Sequence, residues 1–294
     1  MNGPLAIAQV VPTPWGSSDE AVRQARLIAR GLAARGHRVI ALAPAASAAE
    51  AAEGRRLVKA AGANGEMLLP APGGEPRVIP VGEAVPLGGR RRTIPAGTAH
   101  AADEVLAAIP LDVVHLHDPF PPSLPGAALR HSRALNLGHF HDPEPRIPAG
   151  DVARRVGGAL FGRIDMGVAD FATAADAISD LIPAGVRVVR RASEGHSGGG
   201  PDAGGTDIAI VGGGIGDPRP GDVIEALAAG AVPIASTLPV HEELLADGEL
   251  GPGFSQGDHL TLAAQLDDLL GPDRRAGFRE RAGSARAEAA VDRL

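Results

Sequence analysis

Three short phrases in this 294-residue chain hold the residue types that do chemistry. Val113-Val-His-Leu-His-Asp-Pro119 carries two imidazoles and a carboxylate where an apolar run turns polar, and prolines between Pro119 and Pro125 break it. The His-Leu-His alternation puts His115 and His117 on one side of an extended segment. Pro12-Thr-Pro-Trp-Gly-Ser-Ser18 is a loop in which Gly16, followed by Ser17, lets a backbone approach a phosphate. Asp217 to Leu245, DPRPGDVIEALAAGAVPIASTLPVHEELL, gathers Asp217, Arg219, Asp222 and Glu225 about the start of a helix. In α/β folds, ligands sit at the carboxyl ends of strands and at helix N-termini.

The elements that must position these phrases follow from local pattern. Leu5 to Val11 is a nearly continuous apolar run, as a buried parallel strand needs. Asp19 to Arg35 carries a helical stripe, Val22, Ala25, Ile28 and Leu32, which Gly36-His37 ends before a strand from Arg38 to Leu42. This is a βαβ opening of Rossmann type. An Ala-rich helix is expected over 46–62. A Gly/Pro-rich stretch follows over 63–97, with a short strand at Arg77 to Pro80 and Arg90-Arg-Arg92 as a loop cluster. A helix over Thr98 to Ile109 and strands at Val113 to His117, Leu135 to Phe140 and Val186 to Arg191 come next. Ser193 to Gly205 is Gly/Ser-rich and reads as a linker. Beyond it, a helix from Asp222 ends on Gly230, Ala231 to Ser236 is a strand, and Thr237-Leu-Pro opens another helix. Helices over Asp258 to Leu270 and Asp273 to Leu294 close the chain.

Composition bounds the function. The length suits two domains. Apolar residues make up 44% and aromatics only 2%, so the core is built from Ala, Val, Leu and Ile. A net charge of -7 gives no electrostatic footprint for nucleic acid. The absence of cysteine excludes disulfides and thiolate metal sites. No run approaches the ~18 apolar residues of a membrane span, and the first residues lack the charged and apolar regions of a signal peptide. The expectation is a soluble cytoplasmic protein. No spaced carboxylate and histidine set for a metal stands out.

EALAAGAVPIASTLPVHEELLADGELG resembles the second-domain motif of the retaining, two-Rossmann-domain (GT-B) glycosyltransferases of family 4, E-x7-E-A-M-A-A-G-x-P-V-V-A-S. Glu225 falls on its second Glu and Asp217 on its first. LAARGHRV, from Leu32 to Val39, is similar to the phrase that follows the family's glycine loop. His115 to Pro119 resembles the H-x-H-[DE]-P motif of the mannosyltransferase branch. The strand ending His139-Phe-His resembles one that lines the family's acceptor side. GEAVPLGGRRRTIPAG is similar to a loop of bacterial phosphatidylinositol mannosyltransferases, in which a following basic helix touches the membrane. Here that helix carries Asp103 and Glu104 and no Lys or Arg, so membrane contact is at most peripheral.

The resemblance implies an α/β protein of two Rossmann-like domains, GT-B-like with the second reduced: 1–180 on the acceptor side, and a truncated 181–294 for the nucleotide sugar. It implies transfer of a hexose, mannose-like, from GDP-mannose or a UDP-sugar to an unknown acceptor, lipid or small molecule, with retention. Gly16 and Ser17 would meet the phosphates, with Arg219 as a local cation. His117 would meet the sugar, and Asp217 and Glu225 the sugar and ribose. His117 and Asp217 are thus the expected catalytic residues, with neither cofactor nor metal required. The chain departs from the family where charge matters. No G-R-x-x-x-x-K-G phrase stands between Arg191 and Asp217, and no Lys follows Lys59. Pro218 and Pro220 remove backbone N–H groups, and Asp222 adds a negative charge at a helix N-terminus. A second reading therefore stays open: a catalytically inactive glycosyltransferase-like scaffold or binding protein.

Overall fold

The computed structural model describes residues 3–62, 64–87, 90–93, 95–143, 157–189, 208–214 and 218–291. It divides into two compact units, Met1–Val189 and Arg190–Leu294. Sequence places the division at 180. The strand over 186–188 pairs with its neighbour inside the first unit.

The first unit is built on one sheet: β1 (Ala6–Val10), β2 (Arg38–Ala45), β3 (Arg77–Leu87), β4 (Arg90–Thr93), β5 (Val113–His117), β6 (Leu135–Phe140), β7 (Met166–Ala169) and β8 (Val186–Val188). Their order is β4-β3-β2-β1-β5-β6-β7-β8, parallel except where β4 runs against β3. Arg90 to Arg92, expected in a loop, thus form most of an edge strand. Their register against Ala84 to Leu87 is a tertiary pairing that the arginines' own β propensity does not announce. Every residue of β1 is buried, as its apolar run requires of a strand covered on both faces.

Helix α1 (Glu20–Ala34) starts where the Asp19 side chain accepts from the Ala21 amide. It buries Ala21, Val22, Ala25, Ala29 and Ala33, a face turned from the expected stripe toward the smallest side chains. The remaining helices of this unit are α2 (Ala48–Ala61), α3 (Pro95–Ala108), α4 (Leu124–His131) and α5 (Ala172–Ile178), with a further helical turn over 157–161.

The second unit has a three-stranded parallel sheet among its described residues, β9 (Ile208–Val211), β10 (Val232–Ser236) and β11 (Gly253–Phe254), ordered β11-β10-β9. Helix α6 (Pro220–Ala229) enters with Pro at its first position and leaves through Gly230, whose φ of 82° is the left-handed end signal. It is followed by α7 (Pro239–Leu244), α8 (His259–Leu270) and α9 (Pro272–Val291).

Candidate active site at the carboxyl ends of the strands

β1 lies between β2 and β5, yet the chain leaves it toward β2 and returns to β5 only after β4. The strand order reverses there, so the crevice above the carboxyl ends of β1 and β5 is the switch point where open α/β sheets bind ligands. Gly16 and Ser17 lie in the loop that leaves β1, and His117 ends β5. The loop is pinned from below: Arg26 donates to the carbonyl oxygens of Trp15 at 3.0 Å and Ser17 at 3.4 Å. The Thr13 and Ser17 hydroxyls meet at 2.9 Å. Gly16 is exposed, and a Cβ built on it meets nothing within 4 Å, so packing inside the chain does not demand a glycine there.

Beneath this crevice lies a line of buried imidazoles. Parallel pairing sets His117 beside His139 and His139 beside Val168, and alternation turns His115, His117, His139 and His141 to the same face. Asp170, just beyond β7, closes the row: its backbone N–H donates to the Phe140 carbonyl at 3.0 Å. One carboxylate oxygen of Asp170 is 2.8 Å from His139 Nε2, and the other is 2.7 Å from His141 Nδ1. His141 Nε2 is 2.7 Å from His117 Nδ1, and His117 Nε2 is 2.8 Å from Gln9 Oε1 on β1. A second arm runs from His139 Nδ1 to His115 Nε2 at 3.2 Å. The rings stack, with centroids 4.3 Å apart for His115 and His117 and 5.0 Å for His117 and His141. Burial holds His115 and His117 well below the ordinary histidine pKa, and the neighbouring rings push the same way. Both are therefore neutral rings at neutral pH.

Asp118 sits above the line with φ of 48°. Its carboxylate accepts from the His141 backbone N–H at 2.8 Å. Burial raises its pKa to about 7, opposed by that bond and reinforced by the nearby carboxylates of Asp142, Asp19 and Asp170.

The row forms two sets, His115–His117–His139 and His139–His141–Asp170, whose ligand atoms lie within 4.8 Å of one another. Zinc takes N and O ligands at about 2.0–2.1 Å. An ion held there would take ring lone pairs and release ring protons, as metal binding by histidine does in general, so the row has the donor set either for a metal or for the hydrogen bonds described. Sequence showed no such set because its members come from three strands. Gln9, His141 and Asp170 were likewise missed as a group. The one signal for them was that His139-Phe-His repeats the alternation of His115-Leu-His.

In the second unit Arg219 precedes α6 in the left-handed region, φ 48°, and lies 3.8 Å from Asp222 on an exposed flank. Glu225 is half-buried one turn further along the same helix. Asp217 lies outside the described residues. Sequence missed His241, whose ring nitrogens lie 2.7 Å from the Ser236 carbonyl oxygen and 2.5 Å from that of Pro218. It ties the end of β10 to the turn that opens α6. Gly16, Ser17 and His117 are thus gathered at one end of the first unit's sheet, and Arg219 and Glu225 at one helix head of the second. No helix among the described residues is long and apolar enough to cross a membrane.

The fold resembles solved glycosyltransferases. The HepE protein of Anabaena, solved with UDP-glucose, is 14% identical with a TM-score of 0.58, over 98% of this chain and 95% of that one. The spinosyn forosaminyltransferase SpnP is 11% identical with a TM-score of 0.55, over 98% and 95%. Sucrose-phosphate synthase of Thermosynechococcus elongatus is 11% identical with a TM-score of 0.54, over 95% and 94%. At such identities the likeness establishes the GT-B-like α/β fold. No curated protein matches the chain by sequence. The model of Glycosyltransferase Family 4 matches residues 21–189, more than half of the chain, and the protein belongs to that family.

Proposed function

We propose that the protein transfers a hexose, mannose-like, from a nucleotide diphosphate sugar to an acceptor hydroxyl with retention of configuration. The reading rests on one observation: a loop with an open glycine and a histidine-aspartate strand tip meet at the switch point of a family-4 domain. In the reaction the bond from the anomeric carbon to the diphosphate breaks and a bond to the acceptor oxygen forms. The acceptor proton passes to the departing diphosphate, and the sugar passes through an oxocarbenium-like state. On this reading the Gly16–Ser17 backbone and Arg219 meet the diphosphate, whose growing charge preorganised donors stabilise. His117 meets the sugar, and Asp217 and Glu225 hold the sugar and ribose. The solved HepE complex with UDP-glucose supports a nucleotide sugar as donor, and the setting proposed is cytoplasmic, without a cofactor.

The test is turnover of GDP-mannose and UDP-glucose by the isolated protein, with the anomeric configuration of the product read by NMR. GDP-mannose is expected to be the better donor, and His117→Ala to lower kcat by about a hundredfold, the scale of one lost transition-state contact. Calorimetric silence across a panel of nucleotide sugars at millimolar concentration would replace the transferase with a binding scaffold. The reading that motivates that rival is the missing G-R-x-x-x-x-K-G phrase.

A further inference from the structure

We propose that His139, His141 and Asp170 form a structural metal site, which takes a zinc ion beneath the crevice and ties the end of β6 to the end of β7. The site goes beyond the transferase reading and does not rest on it. His139 lies in β6 and His141 just past its end, and Asp170 follows β7. His139 Nε2 is 2.8 Å from one carboxylate oxygen of Asp170, and His141 Nδ1 is 2.7 Å from the other. The ligand atoms of the three residues lie within 4.8 Å of one another. Zinc bonds of about 2.0–2.2 Å to nitrogen and oxygen set neighbouring tetrahedral ligands roughly 3.3 Å apart. Each ring then draws back from the carboxylate by about half an ångström to admit the ion.

The donor set chooses the ion. Imidazole nitrogens suit zinc and its transition-metal neighbours, whereas calcium and magnesium call for a shell of oxygens. Charge chooses between the two groups in the row. His115, His117 and His139 also lie within reach of one ion, but they offer it no anion. A buried dication without one keeps its whole charge, which is costly. Asp170 cancels half of it. The side chains of His139, His141 and Asp170 are 9%, 2% and 3% exposed, so the site is closed. Closed zinc sites are structural rather than catalytic, and such an ion is taken up as the chain folds.

A second row of rings stands behind the ligands. A histidine that binds a metal through one nitrogen holds its proton on the other and donates it to an acceptor, which fixes the ring. The far nitrogen of His139, Nδ1, is 3.2 Å from His115 Nε2. The far nitrogen of His141, Nε2, is 2.7 Å from His117 Nδ1. With zinc bound, each ligand gives up the proton on its coordinating nitrogen, keeps one on the far nitrogen and donates it to the ring behind. His115 and His117 accept there, with their own protons on the opposite ring nitrogens. All four rings stay neutral. As a purely hydrogen-bonded core, four imidazoles and a carboxylate gain little over apolar side chains of similar volume. An ion gives the same five residues a role that packing does not.

The experiment uses the full chain, produced in zinc-supplemented medium without a polyhistidine tag. Elemental analysis by mass spectrometry is expected to find about one zinc per chain. Removing it with a chelator lowers the melting temperature, and zinc restores it where magnesium and calcium do not. Zinc far below one equivalent, with calorimetric silence when zinc is refolded with the stripped chain, overturns the proposal. His139→Gln removes a ligand and is expected to lose the bound zinc. His115→Phe removes only a ring behind the ligands and is expected to keep one equivalent at an affinity about 10–100-fold weaker. His100→Gln, at an exposed histidine outside the row, keeps full affinity. Full zinc affinity in folded His139→Gln, or zinc lost in folded His100→Gln, places the ion elsewhere and overturns the proposal. If circular dichroism shows that His139→Gln does not fold, His115→Phe takes its place, and an affinity unchanged in that folded variant overturns it.

Discussion

At the scale of single residues, Asp118 is where the strand tip and the buried line meet. Its left-handed φ of 48° suits a short polar side chain, and its carboxylate is held by the His141 N–H. Burial lifts its pKa from 3.8 to about 7, and that shift has a sign for stability. Between those two values the folded protein holds a proton on Asp118 that the unfolded chain has lost. Linkage then makes stability fall as pH rises through that window. Asp118→Asn keeps an acceptor for the His141 N–H and tolerates the same backbone, but has nothing to ionise. Thermal melts are expected to show the variant matching the wild type near pH 4 and exceeding it increasingly up to pH 7. The upper limit is about 4 kcal/mol, at 1.36 kcal/mol for each pH decade between the two values. A constant difference across that range would assign the raised pKa elsewhere. The phrase His-Leu-His-Asp-Pro was legible in the chain because alternation and a proline stop are local. Its partners were not. Gln9 lies 108 positions from His117, and Asp170 lies 29 from His141, so their meeting is decided by strand order alone.

At the scale of elements, local rules located most strands and helices within a few residues and failed where pairing overrode them, as in β4. Gly54 shows the same conflict inside a helix. By propensity it is a flaw in α2, worth about 1 kcal/mol against alanine. In the fold, a Cβ on Gly54 would stand 1.9 Å from the carbonyl oxygen of Pro80 on β3, and backbone cannot swing aside as a side chain does. The glycine is thus the contact through which α2 lies on the sheet. Gly54→Ala is expected to lower stability in urea unfolding by about 1–3 kcal/mol or more, the cost of overpacking, despite its helical gain. A stabilised variant would mean that α2 does not pack there. The second unit repeats the lesson. The Ala231 to Ser236 run, the proline that opens α7 and the glycine after α6 were all readable. The staple from His241 to Pro218 was not, because it joins two segments that the sequence separates by a whole helix and strand.

At the scale of the molecule, the two units are unequal in what holds them. All eight strands of the first sheet pair within Met1–Val189, and β1 has no exposed residue. The second unit has three described strands, of which β11 spans two residues. Among its described residues the core includes two small clusters, Val211, Val223, Ala235 and Leu245, and Val232, Ile234, Leu269 and Phe278. Exposed Ile210 at 53% and Leu260 at 85% add nothing to either. Small cores bury a smaller share of their surface and open at lower free energy. Hydrogen exchange followed by mass spectrometry is therefore expected to show β10 exchanging before β1 and β5. The same measurement bears on the proposed function, because Asp217, Arg219 and Glu225 all belong to this weaker unit. A donor that binds them stabilises it by mass action, by about 2.7 kcal/mol at a hundredfold excess over Kd. Exchange in β10 and α6 should then slow by about a hundredfold when GDP-mannose is present, while β1 changes little. Slowing confined to the first unit would place the donor there alone and remove Glu225 from its grip.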